Sequence, residues 1–316
     1  MIKEIIRIIE SNRRFLVASH EGPDGDAMAS TLALVNALRE MGKDVVAYNR
    51  DEVPGDFVFL PGSDSVVRSL DGMEPFDVGF VLDAGELRRA GNHLRQCCRI
   101  LVNIDHHPFS ENFGEVYYVD EKASATGAMI YRILKEMAHP FSSEVALCIY
   151  TAILSDTGSF RYSNADPEAF NIAAEMVSYG VSPWDVASGL YESQDEKRLR
   201  LLAAVLGTLT VSPCRRYASV TATLAMMDRT ETGPEYTDGF INYPRSVRGV
   251  EVALFFREVS IGNYKVGFRS KGNVDVGALA RNLGGGGHHN ASGAMVEGDL
   301  DVVRNSVFAR LDSLLA

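Results

Sequence analysis

The stretch ILVNIDHHPF, residues 100–109, sets a run of Ile, Leu and Val directly against one acid and two imidazoles. A short, continuous apolar run of this kind reads as a strand buried on both faces, the pattern of a parallel sheet. The same arrangement recurs on either side of it. FLVAS (15–19) leads into His20 of HEGPDGDA, and VGFVL (78–82) leads into Asp83 of LDAG. A further acid, Asp156, stands in LSDTGSF (154–160). Open α/β sheets gather ligands outside the carboxyl ends of their strands, so these residues are expected to converge on one crevice.

Strand and helix signals alternate from residue 15 to about 160, which implies a mostly parallel sheet flanked by helices. MIKEIIRIIE reads as a first helix with Ile2, Ile5, Ile6 and Ile9 on one face. Residues 26–41 form an amphipathic helix stopped at Gly42, and DVVAYN is the next strand. Ser124 is the expected cap of a helix over 125–138, and Ser143 of the helix carrying ALCIYTAIL. Pro167 opens another helix, and Ser182-Pro183 pairs a cap with a first-turn proline. The resulting division is an α/β metal-binding domain over 1–190, a charged helical linker over 191–211 and a smaller α+β domain over 212–316. In the last domain YASVTATL, VEVALFFREV, YKVGFRS and AMVEG are strands, and VDVGALARNL is a helix.

With 316 residues, 46% hydrophobic and 23% charged, burial of a core is not limiting. No apolar stretch approaches the roughly 20 residues needed to cross a bilayer. The charged N-terminus lacks a signal-peptide core, so a cytoplasmic location is expected. The four cysteines show no C-x-x-C pairing. A net charge of −11 argues against a protein that coats long nucleic acid. Between Arg245 and Arg281 the balance reverses, with Arg248, Arg257, Lys265, Arg269 and Lys271 outnumbering the acids. One basic face on an acidic protein suits a small anionic ligand.

His20, Asp24, Asp26, Asp83, His106 and Asp156 are oxygen and imidazole donors of the kind that hold manganese, magnesium, cobalt or zinc. In a tight turn His20 and Asp24 face one ion and Asp26 a second. Asp83 bridges them, and His106 and Asp156 complete the second, with hydroxide spanning the pair. Two metals about 3.5–4 Å apart suit phosphoryl transfer. Each piece has a plainer reading, since Asp24–Asp26 also serves as turn and helix cap, and a His pair often makes only local hydrogen bonds. Four separate loops bearing such donors argue jointly for the site.

HEGPDGDA, VLDAG, IDHH and LSDTG resemble, in order and spacing, the four motifs of the DHH phosphoesterase superfamily. GGGGHHNASGA (284–294) is similar to the glycine-rich signature of the DHH-associated substrate domain. The resemblance implies two manganese ions per subunit, with His107 touching the scissile phosphate or protonating the leaving oxygen. Asp105 would orient a neighbouring imidazole. Gly286, Gly287 and His288, with Arg269 and Ser270, would grip a terminal phosphate or sugar edge, in keeping with bare backbone N–H groups forming an anion nest.

Among branches of the superfamily, the compact two-domain nanoRNases fit best. The implied reaction is hydrolysis of short RNA oligonucleotides, including linear dinucleotides, to mononucleotides, with phosphoadenosine phosphate as a further substrate. A phosphatase dedicated to nucleoside bisphosphates and a cyclic-dinucleotide phosphodiesterase remain as alternatives, and a silent nucleotide sensor has no residue in its favour. Neither long nucleic acid nor a membrane is an expected partner, and a homodimer is implied. Tyr117, Tyr118, Phe160 and Tyr162 are candidates to stack a base, against the alternative of core or rim packing.

Overall fold

The apolar runs that lead into His20, Asp83 and Asp105 are strands. The computed structural model describes residues 1–192, 194–287 and 289–315. The chain divides into Met1–Ser193 and Gln194–Ala316.

In the first unit, β1 (Arg14–Ser19), β2 (Asp44–Tyr48), β3 (Val66–Val67), β4 (Phe76–Leu82), β5 (Cys98–Asp105) and β6 (Val116–Val119) form one sheet in the order β3-β2-β1-β4-β5-β6. Every neighbouring pair is parallel. The order reverses direction between β1 and β4, and such a switch point is where an open parallel sheet leaves a crevice. His20 follows β1 and Asp83 follows β4, so both stand at its mouth.

Helix Gly25–Glu40 departs from its amphipathic reading, because every residue from Gly25 to Leu38 is buried. Helices Thr126–Glu136 and Ser143–Asp156 pack on it, so it has no solvent face. Glycine allows the close approach. A Cβ at Gly25 would lie 2.1 Å from Ser155 Oγ, and one at Gly127 would lie 2.4 Å from the Ala152 Cβ. Helix Ile2–Ser11 seals the core with Ile5 and Ile9, each buried side chain worth about 1.5–3 kcal/mol.

Two expected caps are corrected. The second of these three helices starts at Thr126 with no side-chain cap of its own, and the Ser124 hydroxyl is buried without a partner. Its first N–H groups are taken instead by a carboxylate from far along the chain, Asp26. The third helix is capped by Ser142, whose oxygen accepts from Val145 N at 3.2 Å, not by Ser143.

The second unit holds β7 (Thr210–Val211), β8 (Tyr217–Ala222), β9 (Val252–Ser260), β10 (Asn263–Ser270), β11 (Gly286–Gly287) and β12 (Ala291–Glu297), ordered β11-β12-β10-β9-β8-β7. Pairing is antiparallel except between β8 and β9. Helices Val276–Arg281 and Leu300–Leu314 cover one face through Val276, Leu279, Val307 and Leu311. The segment read as a linker is built in. Helix Glu196–Leu206 buries Leu201, Leu202 and Val205 against Val220, Met227 and Phe240. Glu196 and Arg200 pair with each other in solvent while Arg198 lies over the Phe240 ring, so the density of charge hides the buried positions in the sequence.

Candidate active site

Three helix ends and three strand ends meet at the switch point. Asp24 caps helix Gly25–Glu40, its side chain accepting from Ala27 N at 3.1 Å. Asp26, on the first turn, is buried. Its Oδ2 accepts from Thr126 N (2.6 Å) and its Oδ1 from Gly127 N (3.0 Å) and Ser30 Oγ (2.7 Å). Free N–H groups and the positive end of the helix dipole at Thr126–Glu136 thus hold one anion of the cluster. Asp156 sits at the last turn of helix Ser143–Asp156, and Asn164 Nδ2 donates to its Oδ2 at 3.2 Å.

Asp83 leaves β4 with φ 57, a left-handed conformation in which Asp and Asn are enriched among non-glycine residues. Gly85 follows at φ 67, and its N–H donates to Asp105 Oδ2 at 2.7 Å. Asp83 Oδ1 accepts from Thr126 Oγ1 at 3.0 Å.

The imidazoles are set by their far nitrogens. Nδ1 of His20 lies 2.8 Å from the Glu21 carbonyl, and Nδ1 of His106 lies 3.1 Å from the Ala123 carbonyl. Carbonyls only accept, so Nδ1 carries the proton and the Nε2 lone pair faces the acids, the arrangement of a ligating histidine. His20 Nε2 is 3.8 Å from both Asp24 Oδ1 and Asp83 Oδ2. His106 Nε2 is 3.6 Å from Asp26 Oδ2, 3.5 Å from Asp83 Oδ1 and 3.7 Å from Asp156 Oδ2. These separations exceed a hydrogen bond. They are close to the edge between two ligands that each reach an ion at about 2.0–2.2 Å.

Three groups bring their donor atoms within 4.8 Å of one another: His20, Asp24 and Asp83; Asp26, His106 and Asp156; and Asp83, His106 and His107. Asp83 belongs to two of them. All eight sequence-derived residues of this unit, Asp105 and His107 included, lie in the same cluster. Asp105 is buried, and its Oδ1 accepts from His107 Nδ1 at 2.8 Å and its Oδ2 from Ser110 Oγ at 2.6 Å.

The electrostatics fit a cation-binding site. Burial, then the carboxylates of Asp26, Asp24, Asp105 and Asp156, push Asp83 well above the usual range. Burial and Asp24 raise Asp26, and burial with Asp26 lifts Asp156 to about 7. Asp105 goes the other way. Burial pushes it up, yet the bonds from His107 and Ser110 outweigh that and hold it at about 2. Thr126, Gly127, Ser30, Asn164 and Ser110 escaped the sequence reading, because each acts on an acid rather than ending an apolar run.

In the second unit Arg269 is half-buried on β10. Its Nη1 donates to the Phe268 carbonyl at 3.0 Å, and no carboxylate pairs with it among the described residues. With Lys265 and Arg257 it lines a cavity of about 420 Å³ that Phe255 and Gly293 also border. The Ser270 hydroxyl is committed to the protein, donating to the Val274 carbonyl (2.7 Å) and accepting from Asn290 Nδ2 (2.9 Å), so it anchors the turn after β10. Gly286 and Gly287 pair with Gly293 and Ser292 and are exposed. Cβ atoms at Gly285 and Gly287 would strike the strand opposite, at 2.1 Å and 2.6 Å, whereas Gly286 has nothing within 4 Å. His288 lies outside the described residues.

Residues 14–153 match the DHH family, N-terminal domain, and residues 220–313 match the DHHA1 domain. The chain belongs to the DHH family. It is 32% identical over 302 residues to the bifunctional oligoribonuclease and PAP phosphatase NrnA of Thermus thermophilus, covering 95% of this chain and 89% of that protein. Against a probable manganese-dependent inorganic pyrophosphatase of Bacillus mycoides it is 25% identical, over 52% of this chain and 54% of that one. The crystal structure of an exopolyphosphatase-related protein from Bacteroides fragilis superposes with TM-score 0.92 at 27% identity, covering 100% of this chain and 97% of the other. No helix of the described residues is long and apolar enough to cross a membrane.

Proposed function

We propose that this chain is a divalent-metal-dependent phosphoesterase that hydrolyses RNA fragments of a few nucleotides to mononucleotides, and that it also removes phosphate from phosphoadenosine phosphate. The observation that carries the proposal is the pair of imidazoles, His20 and His106, whose Nε2 atoms are turned by backbone carbonyls towards a cluster of carboxylates built around the buried Asp26 and Asp83. The likeness to NrnA over nearly the full length supports this substrate class. The partial match to a pyrophosphatase stops at about half of this chain.

In this reading His20, Asp24 and Asp83 hold one ion, and Asp26, Asp83, His106 and Asp156 the other, manganese being the preferred metal. When bound, such a pair supplies a water of lowered pKa and offsets charge on the phosphoryl oxygens. The protein's own part is to place protons. Asp105 fixes His107 through Nδ1, which leaves Nε2 to carry a proton towards the leaving oxygen. Thr126 and Gly127 keep Asp26 from turning away. Arg269 and the exposed backbone of Gly286 and Gly287 supply the anion grip, with Ser270 anchoring the turn after β10. A cytoplasmic homodimer belongs to the same reading.

The test is a time course on radiolabelled diadenylate with manganese, run beside phosphoadenosine phosphate, pyrophosphate and a cyclic dinucleotide. Mononucleotide release faster than turnover of pyrophosphate or the cyclic substrate is expected. Faster attack on either of those removes the assignment.

A further inference from the structure

We propose that Phe109 reads the base of the substrate, its ring serving as the platform on which the base of the nucleotide at His107 stacks. This rests on the phosphoesterase reading above. Residues 107–110 form a turn in which Ser110 N donates to the His107 carbonyl at 3.3 Å. Pro108 occupies the second position and Phe109 the third, at φ 64. That pattern belongs to a type II turn, whose third position ordinarily takes Gly or Asn. A bulky side chain there is a backbone outlier.

Phe109 is also 96% exposed, so its ring adds nothing to the core. The chain therefore keeps a large apolar side chain where both conformation and solvation oppose it. Residues held in that way cluster at ligand contacts.

The turn is rigidly mounted. Ser110 Oγ donates to Asp105 Oδ2 (2.6 Å), Asn103 Nδ2 donates to Ser110 Oγ (3.2 Å), and Tyr117 OH donates to the Ser110 carbonyl (2.6 Å). The carboxylate that anchors Ser110 is the same one that orients His107. One side chain thus fixes both the imidazole at the phosphate and the turn that carries the ring. Two consecutive Cα steps keep Phe109 within about 7 Å of His107, comparable to the span from a nucleotide's phosphate to its base. Two other aromatic candidates are engaged elsewhere. Phe160 stacks on Phe170 at 5.0 Å, and Tyr117 is tied to Ser110.

The experiment compares manganese-loaded wild type with Phe109→Gly, Phe109→Leu and Phe109→Tyr on diadenylate and on a dinucleotide of the same backbone lacking its bases. Glycine suits the φ of this turn, so that variant folds. Stacking is expected to make KM for diadenylate rise about 5- to 100-fold in the Gly and Leu variants, with kcat within about twofold and Tyr restoring wild-type behaviour. Turnover of the base-free substrate stays unchanged throughout. An unaltered KM in Phe109→Gly overturns the inference, as does an equal loss on both substrates. A variant that changes only its sedimentation, with KM intact, shows instead that a second copy of the chain covers the ring. If wild type itself releases no mononucleotide from diadenylate, the phosphoesterase reading falls and this inference with it.

Discussion

Replacing Asp83 with Asn is expected to stabilise the metal-free protein while removing its response to metal. Asp83 is buried, and one of its oxygens lies within 4.8 Å of a carboxylate oxygen of Asp24. Two unit charges at that separation repel by about 3.5 kcal/mol at an effective dielectric constant of about 20. Asn keeps the shape, accepts from Thr126 Oγ1 as Asp83 does, and tolerates φ 57. Removing ~3 kcal/mol of repulsion from a cooperative unit of this size raises Tm by about 6–12 °C. The gain depends on pH in a defined direction. Because the folded-state pKa of Asp83 is raised, folding costs free energy above the unfolded value of 3.8 and costs none below it. The advantage of Asn is therefore largest near pH 8 and fades as pH falls towards 4. The assay is thermal melting after chelation across that range, with and without manganese. Manganese at about a hundred times its Kd adds roughly 2.7 kcal/mol to wild type, and that increment should be lost in Asp83→Asn. A variant that melts at or below wild type after chelation at pH 8, or one that gains equally at pH 4, refutes the electrostatic account. Asp83→Ala serves as the backbone control, since Ala at positive φ gives back about 1–2 kcal/mol.

Asp105→Asn should leave manganese binding intact, by calorimetric titration, while lowering kcat about 10- to 100-fold, because it frees His107 rather than a metal ligand. Gly127→Ala forces a Cβ to within 2.4 Å of the Ala152 Cβ, and chemical denaturation should show a loss of about 1–3 kcal/mol. Gly286→Ala meets open space and should leave the melting temperature unchanged. Its effect should fall on KM for substrates with a terminal phosphate. A stability loss there would mean that the glycine serves the fold rather than the ligand.

The strands were legible wherever an apolar run ended abruptly in a donor, as at Ser19-His20, Leu82-Asp83 and Ile104-Asp105, because burial and chemistry change at the same residue. Asp156 was found by its loop motif, though it ends a helix rather than a strand. What escaped were relations that local pattern does not encode. Ser124 had every feature of a cap, yet Asp26, a hundred residues away in sequence, takes the N–H groups it would have satisfied. Helix Gly25–Glu40 read as amphipathic because its outer positions hold small and polar residues such as Ser30, Thr31 and Asn36. Those residues are buried all the same, and each polar side chain finds a partner: Ser30 donates to Asp26 and Thr31 to the Ala27 carbonyl within the same helix, and Asn36 to the Pro61 carbonyl. Charge patterning likewise made Glu196–Leu206 look like a spacer, although Leu201, Leu202 and Val205 form core.

The arrangement also bears on how many ions the site takes. Asp24, Asp26, Asp83 and Asp156 carry four formal negative charges, and no Lys or Arg forms an ion pair with them among the described residues. The helix end at Thr126 offsets part of one charge, and the imidazoles are neutral when they ligate. A single divalent ion would leave two anions buried together, a state the fold avoids only by binding protons, as the raised values of Asp83 and Asp156 indicate. Two divalent ions match four carboxylates without protons. The proposed two-ion occupancy therefore predicts that metal loading releases protons near pH 6, where Asp156 is still largely protonated, and releases fewer near pH 8. Calorimetric titration in buffers of different ionisation enthalpy reads that number directly. Proton release independent of pH, or saturation at one ion per chain with full activity, would leave the second set of donors without a chemical reason to be there.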